Sequence, residues 1–491
     1  MLRNLTRRNI TKVRYRGLYR FLQTTNKTGP SPLSSDIKRN GQEDEKFKKK
    51  KVVIYGQKNW IYALAGLSLF GFAIRQYYWS TKNQLPYSVA ENVRKALWYE
   101  SDQNGCDYKK ALEYYIKAID ELSNNNFDSL ADEYTRLELK LAELYERLGM
   151  LSESKDVYKE MLSRFYEALL TPNKVLDDRR ADLIRKDLRV LIKSLELNKD
   201  VEYGKKLLIS HLLLVQEEIL TKSPELKEFF EDRKKKAVEM AKTTHQMPKL
   251  FDPEEFEPFV NEKNIKLDEN GYMILDLEKN SSAWEPYKEE FFTARDLYTA
   301  YCLSSKDIAA ALSCKMTSVE WMVMADMPPG QILLSQANLG SLLYLQAEKF
   351  DSDITKLQTK IDEEPELKEN PAILKALRYL HKNRDSCIKM AYKSYQSIVK
   401  FYKSNSKLRF HTKDQLDPSV VQAIALSTYG LGILNLYDGV YIKAETLLKD
   451  AITLSKDTEF VELWKEAEME LKKAIELKIE KQKNEALTKT K

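Results

Sequence analysis

Histidine and cysteine are scarce in this 491-residue chain, four of each, and that scarcity removes most of the chemistry a protein of this size could perform. Cys106, Cys302, Cys314 and Cys387 form neither a CxxC nor a twin CX9C pattern, so they read as packing residues rather than a redox or metal framework. His211, His245, His381 and His411 are isolated in sequence, and His211, inside SHLLLV, reads as a core residue. No HExxH, GK[ST] phosphate loop, GxSxG or dinucleotide fingerprint occurs among only 15 glycines. Acidic clusters such as DEEPE at 362–366 suit a solvated face. The chain is expected to be no enzyme and to hold no metal or cofactor.

The first positive feature is NWIYALAGLSLFGFAI, residues 59–74, with no charge between Lys58 and Arg75. Sixteen helical residues span ~24 Å, short of a ~30 Å hydrocarbon core. The flanks extend it: Lys58 and Arg75 can snorkel, and Trp60 and Tyr62 at one end face Tyr77, Tyr78 and Trp79 at the other, a paired aromatic belt. The run starts too late for a secretory signal. It is expected to be one transmembrane helix with its belt, 59–79, held in the lipid bilayer.

Residues 1–35 carry eight Lys or Arg and no acid, interspersed with hydroxyl and apolar residues, as in a mitochondrial transit peptide; Arg20 to Thr25 fit a two-step matrix cleavage near 29 or 30. Residues 1–58 hold 16 Lys+Arg against 4 Asp+Glu, so the remainder is net −6 in a chain that is +6 overall. The basic balance is an N-terminal effect and gives no reason to expect a nucleic-acid partner. The polybasic segment 36–58, with KFKKKK before the span, predicts an N-terminus in the matrix and a C-terminal part in the intermembrane space.

Beyond the span, Leu, Lys, Glu and Ala dominate and apolar residues recur at three- and four-residue spacing, the pattern of helices. Internal similarity is present. In YGLGILNLYDGVYIKAETLLKDAI, Leu431 and Gly432 lie on one helix, Gly439 and Tyr441 at a turn, and Ala444, Leu448 and Ala451 on a second helix, the spacing of a tetratricopeptide (TPR) repeat. Leu141, Ala142, Tyr145, Gly149, Leu151 and Tyr158 match it, as do Tyr108, Ala111, Tyr115 and Ala118 for a second helix. Leu339 and Gly340 resemble a first helix whose partner could carry Ala391, Tyr395 and Ile398, some 50 residues on. A degenerate pair spans 180–221.

The predicted fold is all-α: a TPR-type helical-hairpin solenoid behind a single N-terminal transmembrane helix. N-terminal repeats occupy 88–221, and C-terminal repeats with lengthened or inserted helices, around 345–385, occupy 294–456. A charged capping helix fills 457–483 and a tail 484–491. Between the repeats, 222–293 is rich in Pro, acid and aromatics (FDPEEFEPF), and IKLDENGYMILDL inside it carries a β-hairpin signal at Asn270-Gly271. It reads as a lid or an interaction segment.

Stacked hairpins form grooves for peptides or helices. Positions suited to partner binding are Lys140 and Asn338 on first-helix faces, and Met322 and Met324 within KMTSVEWMVMADMPPG, a stretch that reads first as a Met-rich core helix and second as an adaptable apolar binding surface.

The order of segments, the span at 59–74, YKKALEYYIKAI, the acidic insertion and the repeat at 429–452 resemble the fungal TPR-containing adaptor subunit of the mitochondrial inner-membrane i-AAA protease complex. The resemblance implies a non-catalytic protein that associates with the AAA protease and a partner membrane adaptor subunit and delivers unfolded membrane or intermembrane-space clients. The alternative is a TPR scaffold for inner-membrane complex assembly or protein import, unrelated to proteolysis.

Overall fold

A computed structural model describes residues 85–102, 105–224, 281–404 and 418–489, with short pieces at 226–228, 231–232, 235, 256, 258, 265–267 and 273–275. The transit peptide, the polybasic segment and the span with Lys58, Trp60, Tyr62, Arg75, Tyr77, Tyr78 and Trp79 lie outside these residues.

Six of the helices end in one recurrent way. After α2 (Tyr108–Asn124), α3 (Asp132–Arg147), α7 (Lys288–Ser304), α8 (Ile308–Met324), α11 (Pro418–Tyr437) and α12 (Tyr441–Asp457), one residue takes a left-handed conformation. These residues are Asn126, Gly149, Lys306, Asp326, Gly439 and Glu459. The next backbone N–H then reaches back to a carbonyl of the last turn, as Met150 does to Tyr145 (2.8 Å) and Asp307 to Cys302 (2.8 Å). This reversal satisfies carbonyls that the helix end would leave unpaired. Glycine adopts it freely, whereas a side-chain-bearing residue costs ~1 kcal/mol there. New helices are capped where an acid follows: Asp107, Asp200 and Asp307 each accept at 3.1 Å from the N–H three residues on.

The hairpins share an internal register. Counting from the left-handed residues Cys106, Gly149, Lys306 and Gly439, positions five, nine and twelve further on are buried in every case. They are Ala111, Tyr115 and Ala118; Ser154, Tyr158 and Met161; Ala311, Lys315 and Ser318; Ala444, Leu448 and Ala451. Gly204, Leu208 and His211 on α6 (Val201–Lys222), and Ala391, Tyr395 and Ile398 on α10 (Pro371–Ser404), repeat the spacing. A small residue lets two helices approach, and a large one on the next turn fills the gap between them.

The described residues fall into two compact units, one ending at Ala168 and the other beginning at Leu169. In the first, Val89 and Ala96 of α1 (Tyr87–Glu100) join Ala111, Tyr115, Ala118 and Leu122 of α2 and Tyr134, Leu137, Leu141 and Leu144 of α3 in one core. The chain then enters α4 (Leu151–Leu170).

In the second unit, α5 (Asp177–Glu196) and α6 pack on α7, then α7 on α8 and α8 on α9 (Pro329–Glu363). Helix α9 also meets α10 and α11; α11 packs on α12, and α12 on α13 (Val461–Lys489). The interruption read around 345–385 takes the form of long arms on α9 and α10, 35 and 34 residues, joined by a 3-10 turn at Pro365–Glu369. Ala347, Phe350 and Cys387 fill the space between the arms, Arg384 pairs with Asp351 at 3.1 Å, and the Tyr437 hydroxyl of α11 donates to Asp351 at 2.7 Å. Helix α11 is long and apolar enough to cross a membrane (mean hydropathy 1.4 over Ser419–Tyr437), yet 89% of that stretch is buried against its neighbours. Its apolarity is that of a core helix.

Inside the insertion, β1 (Ile265–Leu267) pairs antiparallel with β2 (Met273–Leu275), Ile265 opposite Leu275, and β2 packs against α9. The Phe256 ring is buried, and its carbonyl accepts from Lys393 Nζ of α10 at 3.0 Å. The end of the insertion is core: Trp284, Tyr287, Phe291 and Phe292 are all buried, and α7 begins at Lys288.

Candidate partner-binding site

The residues read from sequence as packing positions lie where helices meet. Ala111, Ala118, Ala142, Leu339, Ala444 and Ala451 are fully buried; Tyr115, Leu141, Tyr158, Gly340, Leu431 and Gly432 are buried, and Tyr108, Tyr145 and Tyr441 half-buried. Gly149 and Gly439 supply the left-handed turns.

The residues read as partner-binding are placed differently. Lys140 is engaged within the first unit: its ammonium pairs with Glu100 and Glu143, each at 3.1 Å, while its side chain stays 39% exposed. Arg147 pairs with the same two carboxylates and stacks over the Tyr108 ring at 5.4 Å, while the Tyr115 hydroxyl donates to Glu100 at 3.2 Å. Burial opposes the charge on Lys140, but its hydrogen bonds to Glu100 and Glu143 outweigh that and hold its pKa above the usual lysine value. Two cations and two carboxylates balance, so the cluster offers no net charge to a partner.

Asn338 is 6% exposed and Met322 5%, so neither presents a surface; Met324 is half-buried. For Asn338 and Met322 the expectation of open docking residues is corrected for a physical reason. Helix α9 is enclosed by α8, α10 and α11, so every residue from Gln336 to Glu348 is buried, and α8 turns Met322 into the same interior.

Sequence reasoning passed over a group of buried polar contacts. Arg295 of α7 donates to Ser318 Oγ (2.8 Å), to the Cys314 carbonyl (3.0 Å) and to Thr317 Oγ1, with its guanidinium over the rings of Trp321 (5.0 Å) and Phe291 (5.6 Å). Lys315, 3% exposed, pairs with Asp296 at 2.7 Å. One hairpin earlier, His211 Nδ1 lies 2.7 Å from Asp187 Oδ2, both buried; burial drives the Asp187 carboxyl's pKa up against the opposing pull of His211. In the first unit, Arg164 pairs with Glu138, whose pKa burial likewise raises. All four are long-range partners, which no local spacing signals.

Chemistry is not apparent at these sites. Burial pushes the Cys302 thiol up to about 11 and that of Cys387 to about 12, so both are inert as nucleophiles. Among the described residues no group of His, Cys, Asp or Glu could hold a metal. One hollow of about 370 Å³ opens on α6, lined by Leu213, Gln216, Glu217, Leu220, Thr221 and Lys227. Leu213 is 56% exposed there, with Ile209 (41%) one turn before it. Apolar, polar and charged side chains line the hollow together, at the root of the insertion.

Residues 172–327, from α5 through α8 with the insertion, match the family model described as the MGR3 middle domain. The chain is 59% identical over 426 residues to the Saccharomyces cerevisiae protein "Mitochondrial inner membrane i-AAA protease supercomplex subunit MGR3", covering 86% of this chain and 83% of that one. It is 35% identical over 420 residues to "Protein MRG3-like" of the same organism, covering 84% and 87%. Among solved structures, a circular tandem repeat protein of novel repeat topology aligns with 82% of this chain and 91% of its own at 11% identity and a TM-score of 0.23. Yeast Tom70 aligns with 80% and 96% at 12% identity and a TM-score of 0.15. At those scores neither bears on the fold.

Proposed function

This chain belongs to the MGR3 family, and on that premise we propose that it is a non-catalytic, membrane-anchored adaptor of a mitochondrial i-AAA protease. The observation that carries the reading is 59% identity spread over 86% of the chain to a protein named as a subunit of that protease supercomplex. Covering both units, the identity takes in the repeat array as well as the middle domain.

In this reading residues 59–79 form one inner-membrane span, held at its edges by Lys58, Trp60, Tyr62, Arg75, Tyr77, Tyr78 and Trp79. The matrix holds the N-terminus and the intermembrane space the TPR-type hairpins, with the insertion and its β-hairpin laid on the second unit. Anchoring in the same membrane raises the effective concentration of adaptor at the protease, so weak, reversible contacts suffice to hand over an unfolded client. Client contact falls to open apolar surface such as the Ile209 and Leu213 face of α6, and a partner membrane adaptor subunit shares the assembly.

The test is affinity purification of the tagged full-length protein from gently solubilised mitochondria, followed by mass spectrometry. Near-stoichiometric recovery of an inner-membrane AAA protease is expected. Recovery of respiratory or translocase subunits without the protease overturns the adaptor reading in favour of an assembly or import scaffold.

A further inference from the structure

Helix α1 carries an aromatic face that the core does not use. Its inner side buries Val89 and Ala96 against α2. On the opposite side Tyr87 is 76% exposed and Trp98 57%, with Leu97 (49%) at the flank. Tyr87, Arg94 and Trp98 are spaced at i, i+7 and i+11, which places them within ~40° of one another around a helix. The Arg94 guanidinium lies 5.8 Å over the Tyr87 ring. The exposed residues of neighbouring α2 are of another kind: Lys109, Lys110, Glu113, Lys117, Asp120, Ser123 and Asn124 are all charged or polar. Glu91, paired with Lys95 at 2.8 Å, borders this face. An exposed Tyr and Trp on either side of an Arg are costly in water unless something covers them.

We propose that this face lies on the membrane, with Trp98, Leu97 and Tyr87 at the headgroup–acyl boundary and Arg94 on lipid phosphate. The proposal rests on the reading of 59–79 as a span. Only seven residues, 80–86, separate Trp79 from Tyr87, and a fully extended chain of that length reaches ~25 Å. Helix α1 therefore begins close to the surface from which the span emerges. Tyr and Trp favour this boundary because each has an apolar body and a polar tip, and Arg adds attraction to phosphate. Docking α1 fixes how the first unit stands on the membrane and cuts the orientational freedom of a tethered adaptor.

The full-length protein, reconstituted in phosphatidylcholine vesicles with a minor fraction of anionic phospholipid, tests this. The photo-cross-linker p-benzoylphenylalanine is placed singly at positions 62, 98 and 113, of which 98 and 113 are exposed, and adducts are read by mass. Lipid adducts at 98 comparable with those at 62, and none at 113, are expected. Adducts at 62 but none at 98, or adducts at 98 only to protein, overturn the docking while leaving the anchor intact. Absence of lipid adducts at both 62 and 98 removes the anchor reading and the docking with it.

Discussion

The Tyr395 ring of α10 occupies the space that Gly340 of α9 leaves open: a Cβ on Gly340 would lie 2.7 Å from the ring. Gly430 of α11 stands against the same ring, where a Cβ would come within 2.4 Å, and the Tyr395 hydroxyl meets Ser341 Oγ at 2.8 Å. One fully buried tyrosine thus sets the approach of three helices. Gly340→Ala must push back a ring that has no free side to move into, and is expected to destabilise the second unit by about 2 kcal/mol. Tyr395→Phe keeps the ring and removes only the bond to Ser341 Oγ, which still donates to the Ala337 carbonyl at 3.4 Å, and should cost about 1 kcal/mol. Chemical denaturation of the two variants should rank them in that order; equal losses would mean that the hydroxyl, not the ring contact, governs the junction.

How much of this junction was legible follows from chemistry at each hairpin. Ala444, Leu448 and Ala451 follow Gly439 as small, large and small, and the sequence shows both turn and packing. At the equivalent places in α7 and α8 stand Lys306 at the turn, then Ala311, Lys315 and Ser318. A charged turn residue and two polar packing residues erase the pattern, although the backbone is the same. Lys140 looked free because one of its two partners, Glu100, is forty positions away, even though the other, Glu143, is three positions on. Asn338 and Met322 looked accessible because periodicity identifies faces but not how many of them are covered.

Lys315 supplies the second prediction. It is 3% exposed and its ammonium relies on Asp296, whose own side chain keeps 32% exposure. Asp296→Ala leaves a buried cation without its carboxylate and is expected to cost about 3 kcal/mol. Lys315→Met in that background removes the stranded charge at similar volume and should recover most of the loss. Thermal unfolding of the single and double variants checks this, and a double variant no more stable than Asp296→Ala would show that Lys315 needs no partner.

Glu445 gives a pH dependence with a definite sign. Hydrogen bonds from Lys449 (2.7 Å) and Lys478 (2.9 Å) hold its carboxyl down to about 2, and the second of them ties α12 to α13. A carboxyl depressed in the folded state contributes stability above its ordinary value near 4.5, and that contribution fades as pH falls toward 2. Hydrogen exchange of α13 should accelerate relative to α9 across this window. Glu445→Gln should make α13 exchange faster at neutral pH and remove the difference between pH 5 and pH 3.

The insertion is the place where fold and function can be separated. Trp284, Tyr287, Phe291 and Phe292 are buried parts of the α7 and α8 core, so removing all of 222–293 would unfold the middle of the chain rather than test a role. Replacing only 236–280 by a short Gly/Ser linker spares that aromatic cluster, in which Trp321 stacks on Phe291 at 5.9 Å and meets Trp284 at 6.2 Å. The replaced stretch includes Phe256, whose carbonyl binds Lys393, and β2, which packs on α9. If it acts as the assembly segment, the variant should retain its melting temperature within a few degrees and lose co-purification of the protease. A variant that melts as before and still brings down the protease places assembly on the hairpins themselves, and the hollow on α6, rimmed by Glu217 and Lys227, becomes the surface to mutate next.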